Sequence, residues 1–462
     1  MIGRIFKLVP YLFLFFINQV NNFIFPTGKN AEISMGLAIF TCLVYFLADQ
    51  LKNNFNAIIA KGWILFFVMG LMNINSVTRR TGVWNLKIED ATFFYFYCIG
   101  AFIAGLLIFE RLVKVKPPEN GFEDDFSNVA QSPYSYFMYL FPILLVITIY
   151  MAIGFLPLLS GLDFTDDMYG YNYGPLYGFK FVCVYSFLIA LLGTLFYKSG
   201  PKVMNIIYLI LLIFIISVDG KRFVLLICII AAIPVYQWTN KAKNKKLSNG
   251  PIVLSFVVVG IVYILVSILR TGSDISHSIT HIAENLPFGV EYKDYVHSFN
   301  TYEPGKIHGY NFELSAFGAL ANSSFLSILG FDKDQLVKFG SAYVWSNLYD
   351  SNFGIRTGII SELYFAYSYF VVPLMVVIAY FTNLVSQRLS NPKSVFNLLQ
   401  NATLFALIFF LINGQATVFF GCLPVMMYVY FIFKLLTRKK NKKAEEGAPA
   451  GYPGMPPVQL IQ

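Results

Sequence analysis

Three arginines of this chain, Arg80, Arg270 and Arg356, are each followed by Thr-Gly, and a basic pair, Lys221–Arg222, lies in the turn SVDGKRF. The planar guanidinium group grips phosphate oxygens through paired, charge-assisted hydrogen bonds. Glu362 follows Arg356 by six residues, where a long apolar run begins. If these groups meet in space, they could bind a phosphate or diphosphate and transfer a proton beside it.

Two roles fit a carboxylate at the start of a membrane-embedded helix, where such a group is costly unless it has a function. At 100° per residue Glu362 lies roughly 240° around the helix from Arg356, so the two need not pair. Glu362 is interpreted either as a group that pairs with an arginine of another span and orients the site, or as the general base that takes a proton from an acceptor hydroxyl.

All four histidines lie in one long polar segment, at positions 277, 281, 297 and 308. His277 and His281 are four residues apart and precede Glu284, so they could share a helical face. The stretch HSITHIAE lacks the HExxH order, and no third ligand is identifiable. We therefore predict no metal site. The alternatives are ordinary surface histidines or a general base, for which His281 and His308 are the candidates.

Aromatic residues are the third candidate set. Tyr171 and Tyr173 lie in DFTDDMYGYNYGPLYG, and Trp345 lies in the long polar segment. A ring with a flat apolar face and a polar edge suits sugar rings. The same preference produces the aromatic belt of membrane proteins, so both interpretations stay open.

Composition indicates which elements carry these residues. The chain has 462 residues, of which 57% are hydrophobic and 13% charged, and its mean hydropathy is +0.62. These values predict a polytopic membrane protein. The net charge of +9 comes from short basic clusters between apolar runs, which favours positive-inside topology over nucleic-acid binding. The five cysteines all lie within apolar runs without CxxC spacing, so neither disulfides nor a thiolate metal site is expected.

The predicted fold is all-α, a bundle of twelve membrane-spanning helices. Apolar stretches near 20 residues lie at about 8–24, 33–49, 57–75, 91–109, 134–158, 179–197, 203–219, 222–238, 251–269, 357–384, 397–413 and 416–436. With a cytoplasmic amino terminus, 21 of the 34 basic residues face the cytoplasm, and the short loops favour this orientation.

This topology divides the chain into four regions. Residues 1–269 hold spans one to nine, 270–356 form a large outer loop, 357–437 hold spans ten to twelve, and 438–462 form a basic, disordered cytoplasmic tail. All three Arg-Thr-Gly triplets and Lys221–Arg222 then face outward. One explanation is that each arginine reaches the headgroups from a span end. Because outer boundaries are usually poor in positive charge, the set favours a shared anionic ligand.

The layout resembles the Wzy-type O-antigen and polysaccharide repeat-unit polymerases, which are C-type integral membrane glycosyltransferases. The resemblance rests on twelve spans, a large outer loop before the last three, the turn Gly220-Lys221-Arg222, and GxRxGxxxE. That last motif is formed by Gly354, Arg356, Gly358 and Glu362. The resemblance to this family covers residues 217–387 in sequence pattern, and the part of the chain before them in topology only. Arg80 matches no motif of the family.

The resemblance implies an enzyme in the bacterial inner membrane, with both termini cytoplasmic and a periplasmic active site. Its substrates would be undecaprenyl-diphosphate-linked oligosaccharides, and a chain-length regulator in the membrane would be a further partner. Arg222, Arg270 and Arg356 would hold the diphosphate, joined on topology by Lys221 and Arg80. Since lipid diphosphate is already activated, no cofactor is predicted. Glu362, Arg356, Arg270 and His281 are the catalytic candidates, and Tyr171, Tyr173 and Trp345 the sugar-binding candidates.

Two other functions share this layout. A ligase that moves finished polymer onto lipid A core has a similar large outer loop. A flippase for lipid-linked oligosaccharides or another transporter often has twelve spans, but transporters usually carry internal repeats and mid-membrane charges. The predicted spans have few charges and the halves do not repeat, which favours chemistry at one surface.

Overall fold

The structure is a computed structural model. It describes residues 9–14, 31–81, 88–113, 133–157, 180–196, 201–218, 223–242, 261, 265, 290–320, 339–341, 344, 347, 358–414 and 416–446.

Every regular element in the described residues is a helix. Thirteen α-helices follow one another in those ranges: α1 Ala31–Asp49, α2 Asn54–Thr81, α3 Ile88–Leu112, α4 Pro133–Ile153, α5 Val182–Phe196, α6 Pro201–Ser217, α7 Phe223–Ala242, α8 Val290–Thr301, α9 Phe312–Leu320, α10 Gly358–Tyr367, α11 Val371–Ser390, α12 Val395–Phe410 and α13 Ala416–Glu446. The predicted all-α class is confirmed for this part of the chain.

Five described helical stretches are long and apolar enough to cross a bilayer, and five more are apolar but shorter. The long ones are Asn54–Leu71, Asp90–Leu112, Phe223–Lys241, Gly358–Ser390 and Ala416–Leu436. Such helices are those of a multi-pass membrane protein. Ten of the twelve predicted spans coincide with helices. Most of the first and ninth lies outside the described residues, although residues 9–14, 261 and 265 are helical.

The tenth predicted span, 357–384, is not one continuous helix. α10 ends at Tyr367, a 3₁₀ turn covers Ser368–Phe370, and α11 begins at Val371. Ser368 has a φ of +54°, which a serine rarely adopts. Pro373, in the first turn of α11, favours the break, because it has no N–H to donate to the carbonyl of Tyr369 and its ring crowds that carbonyl. With 20 residues, α11 is about 30 Å long and could span a membrane without α10.

Two helices extend beyond their predicted spans. α2 continues through Thr81, so Arg80 lies in its last turn and not in a loop as expected. α13 continues to Glu446, so the start of the tail predicted as disordered, 438–446, is helical. Lysine and glutamate are good helix formers, so a helix that contains them can extend out of the bilayer with its backbone hydrogen bonds unbroken.

Close packing around small residues holds the bundle together. α11 packs along α3, where a Cβ added at Gly105 would lie 2.8 Å from the Cβ of Ala379. Trp63 of α2 is fully buried, stacks on Phe102 at 4.0 Å, and donates its indole N–H to the carbonyl of Phe409 at 3.1 Å. This close approach fixes the relative positions of α2, α3, α11 and α12.

The predicted long loop contains two helices that dock on the bundle. α8 packs against α2 and α3, and α9 packs against α13. The breaks in the apolar stretch 312–331, at Gly318 and at Asn322 to Ser324, favour a position across the membrane surface. Its described part, α9, packs against α13. The described residues of this region, 290–320, 339–341, 344 and 347, are called the docked segment.

Candidate site around Glu362

α10 is a short helix buried on all sides. Its residues from Gly358 to Phe365 are all buried. The docked segment and the first turn of α13 contact it. A helix that is apolar around its whole circumference belongs in a protein interior. Glu362, 2% exposed, is the one carboxylate within it.

The first residue of α10 can only be glycine without a local rearrangement. Gly358 has a φ of +80°, and a Cβ there would lie 2.1 Å from the carbonyl oxygen of Ile412. The next amide, of Ile359, donates to the carbonyl of Leu411 at 3.2 Å. The chain is therefore fixed against the end of α12 two residues after Arg356.

The carboxylate of Glu362 joins three separate parts of the chain. One oxygen accepts a hydrogen bond from the hydroxyl of Ser341, in the docked segment. The other accepts from the backbone N–H of Ala416 at 2.8 Å, at the start of α13. The N-terminus of a helix carries partial positive charge and unpaired N–H donors, which suit a carboxylate.

The docked segment also contacts the backbone of α10. The hydroxyl of Tyr310 donates to the carbonyl of Glu362 at 2.8 Å, and the N–H of Gly305 donates to the carbonyl of Phe365 at 3.0 Å. Desolvation, with a smaller contribution from the Glu362 carboxylate, raises the pKa of Tyr310 well above its usual range. Its hydroxyl therefore stays protonated and keeps donating.

Aromatic packing completes the attachment of the docked segment. Phe299 of α8 stacks on Tyr364 of α10 with ring centroids 4.9 Å apart. Tyr292 and Tyr295 of the same helix are buried, and their hydroxyls donate to the Thr92 hydroxyl at 2.6 Å and to the Ala91 carbonyl at 3.1 Å. These two tyrosines are core residues.

One buried cation at this end was not singled out in the sequence. Lys180, just before α5, is 5% exposed and is the only lysine or arginine in the described residues with so little exposure. The residue after Lys180 connects it to the end of α12. The ring centroid of Phe181 lies 6.3 Å from that of Phe223, which in turn lies 5.9 Å from that of Phe410. The signal was a single lysine inside the predicted span 179–197, where charge is costly.

Most of the predicted site residues lie outside the described part of the chain. These are Arg356, Arg270, His281, Lys221, Arg222, Tyr171, Tyr173 and Trp345. The backbone of Arg80 is helical, and His308 is exposed in the turn before Tyr310. The roles predicted for all of these residues stay predictions.

The contacts of Glu362 bear on its two predicted roles. No lysine or arginine within the described ranges forms an ion pair with it, and its partners there are a hydroxyl and a backbone amide. Each carboxylate oxygen keeps a lone pair for a further donor, so these contacts are compatible with both roles, which stay predictions.

Comparison of the chain with known protein families, with curated proteins and with solved structures finds no match in any of the three.

Proposed function

We propose that this protein polymerises undecaprenyl-diphosphate-linked oligosaccharide repeat units at the outer face of the bacterial inner membrane. In this proposal it is a C-type membrane glycosyltransferase with twelve spans and a periplasmic site between spans nine and ten. The growing chain leaves its lipid diphosphate and joins a hydroxyl of the next lipid-linked unit. Both termini are cytoplasmic.

One observation carries the proposal. The motif GxRxGxxxE lies where the chain enters the bundle, and its two described members, Gly358 and Glu362, both make specific contacts there. Gly358 meets the backbone of Ile412, and Glu362 ties the docked segment to α13. Arg356 precedes Gly358 by two residues in the sequence, and in this proposal it acts at the site that Gly358 and Glu362 adjoin.

The proposed chemistry assigns separate tasks to these groups. Arg222, Arg270 and Arg356 bind the diphosphate and stabilise the charge that develops on it as the anomeric bond breaks. Lys180 adds a buried positive charge at the same end of the bundle. Glu362 is the positioning residue that holds the docked segment, and a histidine of the large loop, His281, is the candidate base.

The decisive experiment uses purified protein and a synthetic undecaprenyl-diphosphate repeat unit as the only substrate. A ladder of products supports the polymerase. A reaction that begins only when lipid A core is added indicates the ligase instead. No transfer in either case, together with movement of the lipid-linked unit across vesicles, indicates the flippase.

A matched pair of variants tests the arginine assignment in that assay. Arg356→Lys keeps the charge but loses the paired geometry, and we expect it to lower kcat by about 10²–10³-fold. Arg388→Lys, on the exposed side of α11 near its other end, is the control and should leave turnover unchanged. Equal turnover of both variants would remove Arg356 from the site.

A further inference from the structure

A polar cavity of about 300 Å³ lies at the other end of the bundle from Glu362. It is lined by the start of α2 and the ends of α3 and α11, through Lys52, Asn53, Glu110, Val113, Asn383, Gln387, Ser390 and Asn391. Since α11 rises about 30 Å between its ends, this cavity is separate from the proposed polymerase site.

Hydrogen bonds fix the mouth of the cavity. Glu110 of α3 accepts from the backbone N–H groups of Lys52 and Asn53 at 2.8 and 3.1 Å, and from the side-chain amide of Asn56 at 2.9 Å. The side chain of Gln387 donates to the carbonyl of Val113. The ends of α2, α3 and α11 are thereby tied together around an open space, so the cavity is preformed.

A stripe of polar side chains runs along α11 from this mouth toward the interior. Asn383, Ser386, Gln387 and Ser390 follow the spacing i, i+3, i+4, i+7, which places them on one face of the helix. Asn383 and Ser386 are 0% exposed. A polar stripe buried in an apolar membrane bundle is costly unless something pairs with it.

Three buried polar atoms at this stripe have no hydrogen-bond partner within the described residues. The side chain of Asn56 donates to the carbonyl oxygen of Asn383 at 3.0 Å, but its own carbonyl oxygen, the amide nitrogen of Asn383 and the hydroxyl of Ser386 have none. Each such atom costs about 1–3 kcal/mol. Buried polar groups in native proteins are usually paired with protein, ordered water or a ligand, so three such atoms side by side point to a bound partner.

The types of these atoms define the chemistry of the guest. They comprise an N–H donor, a carbonyl acceptor and a hydroxyl that can do either. Lys52 and Glu110 place one positive and one negative side chain on the lining, so neither sign of ligand charge is favoured, and the N–H group of Asn383 disfavours a cation at the inner end. A neutral molecule that carries several hydroxyl groups matches all three atoms. At about 30 Å³ per water, the cavity holds about ten water molecules or one sugar ring.

We propose that this cavity is a second binding site, which takes a neutral polyhydroxylated ring of monosaccharide size. Asn383, which lines the cavity, and Ser386, one turn further along the same face of α11, recognise hydroxyl groups, and Glu110 and Gln387 hold the mouth open. The site does not depend on the proposed polymerase activity, and its test requires no turnover.

The test measures protection from a maleimide in full-length protein in nanodiscs. Ser390→Cys places a thiol on the cavity wall, and Arg388→Cys places one on the exposed side of the same helix as the control. The probes are glucose and galactose, with the charged sugars glucuronate and glucosamine for comparison. Labelling of the unsubstituted protein is subtracted, since it contains five native cysteines.

We expect the neutral sugars to slow labelling of Ser390→Cys and to leave Arg388→Cys unchanged. A sugar at ten times its Kd protects about tenfold, because protection follows 1 + [L]/Kd. In the Ser390→Cys background, Asn383→Leu should raise the Kd for the sugar about tenfold and Ser386→Ala about threefold, since each substitution removes one hydrogen-bond partner of a sugar hydroxyl. If the Asn383→Leu protein does not fold, the Kd of the Ser386→Ala protein alone tests whether these side chains bind the sugar.

Three results would overturn the proposal. If neither neutral sugar slows labelling of Ser390→Cys, the cavity holds only water. If glucuronate or glucosamine protects as strongly as glucose, the inferred neutrality of the ligand is wrong. If protection by glucose is unchanged in both the Ser386→Ala and the Asn383→Leu backgrounds, the atoms without partners do not form the site.

Discussion

The Glu362 end and the Asn383 end of the bundle both bury polar side chains among apolar helices, but they differ in hydrogen bonding. Both carboxylate oxygens of Glu362 accept hydrogen bonds, from Ser341 and from Ala416. At the other end, Asn383 and Ser386 each keep a buried polar atom without a partner in the described residues. The first region is complete as folded, whereas the second has capacity left for a guest.

This difference separates two uses of polarity inside a membrane protein. Fully paired polar groups hold elements in place, and removing one partner leaves the other buried and unsatisfied. Glu362 and Gly358 belong to this kind, because they attach the docked segment and α10 to the bundle. Polar groups that the fold itself leaves unpaired indicate binding, which is the interpretation given to the Asn383 end.

The largest effect is expected from Gly358→Ala. A non-glycine residue at a φ of +80° is strained by about 1–3 kcal/mol, and its Cβ would also clash with the backbone of Ile412. We expect little folded protein by fluorescence-detected size-exclusion chromatography. Gly100→Ala is the control, because nothing lies within 4 Å of a Cβ at that position of α3. Equal yields of the two variants would show that α10 is not held as described.

Glu362→Gln should have the next largest effect. The amide of glutamine can still accept from the Ala416 N–H and donate to the Ser341 hydroxyl, but both hydrogen bonds lose the charge assistance of a carboxylate in a buried site, at a cost of about 1–3 kcal/mol. We expect a lower Tm and loss of polymer together. Glu313→Gln is the control, since Glu313 is exposed and bonds only the hydroxyl of Tyr367 among its described contacts. A normal Tm with no polymer would instead identify Glu362 as the base.

Lys180→Met should act on substrate binding. Methionine keeps much of the apolar length of the side chain but removes the positive charge. We expect the KM for the lipid-linked substrate to rise about tenfold, equivalent to about 1.4 kcal/mol. Lys306→Met, which removes an exposed ion pair with Glu303, should leave KM unchanged. An unchanged KM for Lys180→Met would show that this buried cation serves the fold alone.

The smallest effect, and the most direct test of the comparison, comes from two serines. Ser341→Ala leaves one oxygen of Glu362 without its donor and should lower the free energy of unfolding by about 1–3 kcal/mol. Ser386→Ala removes a buried hydroxyl that has no described partner, so the free energy of unfolding should not fall and should rise by up to about 1–3 kcal/mol. Thermal unfolding in the absence of sugar measures both. Equal losses would mean that the two ends do not differ.

The elements of the fold were largely predictable, because apolar length and composition determine which segments can cross a bilayer. Ten predicted spans coincide with helices in the described residues. The break at Ser368 was not predicted, and Pro373 alone does not signal it, because α4, α7 and α13 continue through Pro142, Pro234 and Pro424. The extension of α2 past Arg80 and of α13 to Glu446 could not be predicted from apolar length, since helices do not end where a bilayer does.

The sites were less predictable for a physical reason. Glu362 could be singled out because a carboxylate in an apolar run is unusual, but its partners Ser341 and Ala416 are 21 and 54 residues away. Lys180 gave the same type of signal, a charged residue in an apolar run, but more weakly because it lies at the very start of the predicted span 179–197. Asn56 and Asn383 gave none, because an asparagine is not costly until its surroundings are known, and these two are separated by 327 residues.

By itself, the sequence determined that this protein is helical and enters the membrane many times, because the free energy of placing apolar side chains in a bilayer depends on composition alone. It also predicted which residues could bind an anion. Only the tertiary structure decided that Gly358 must be glycine, that both oxygens of Glu362 accept hydrogen bonds, and that the amide nitrogen of Asn383 has no partner among the described residues. Each of these depends on contacts between segments far apart in the chain, and no local pattern encodes such contacts.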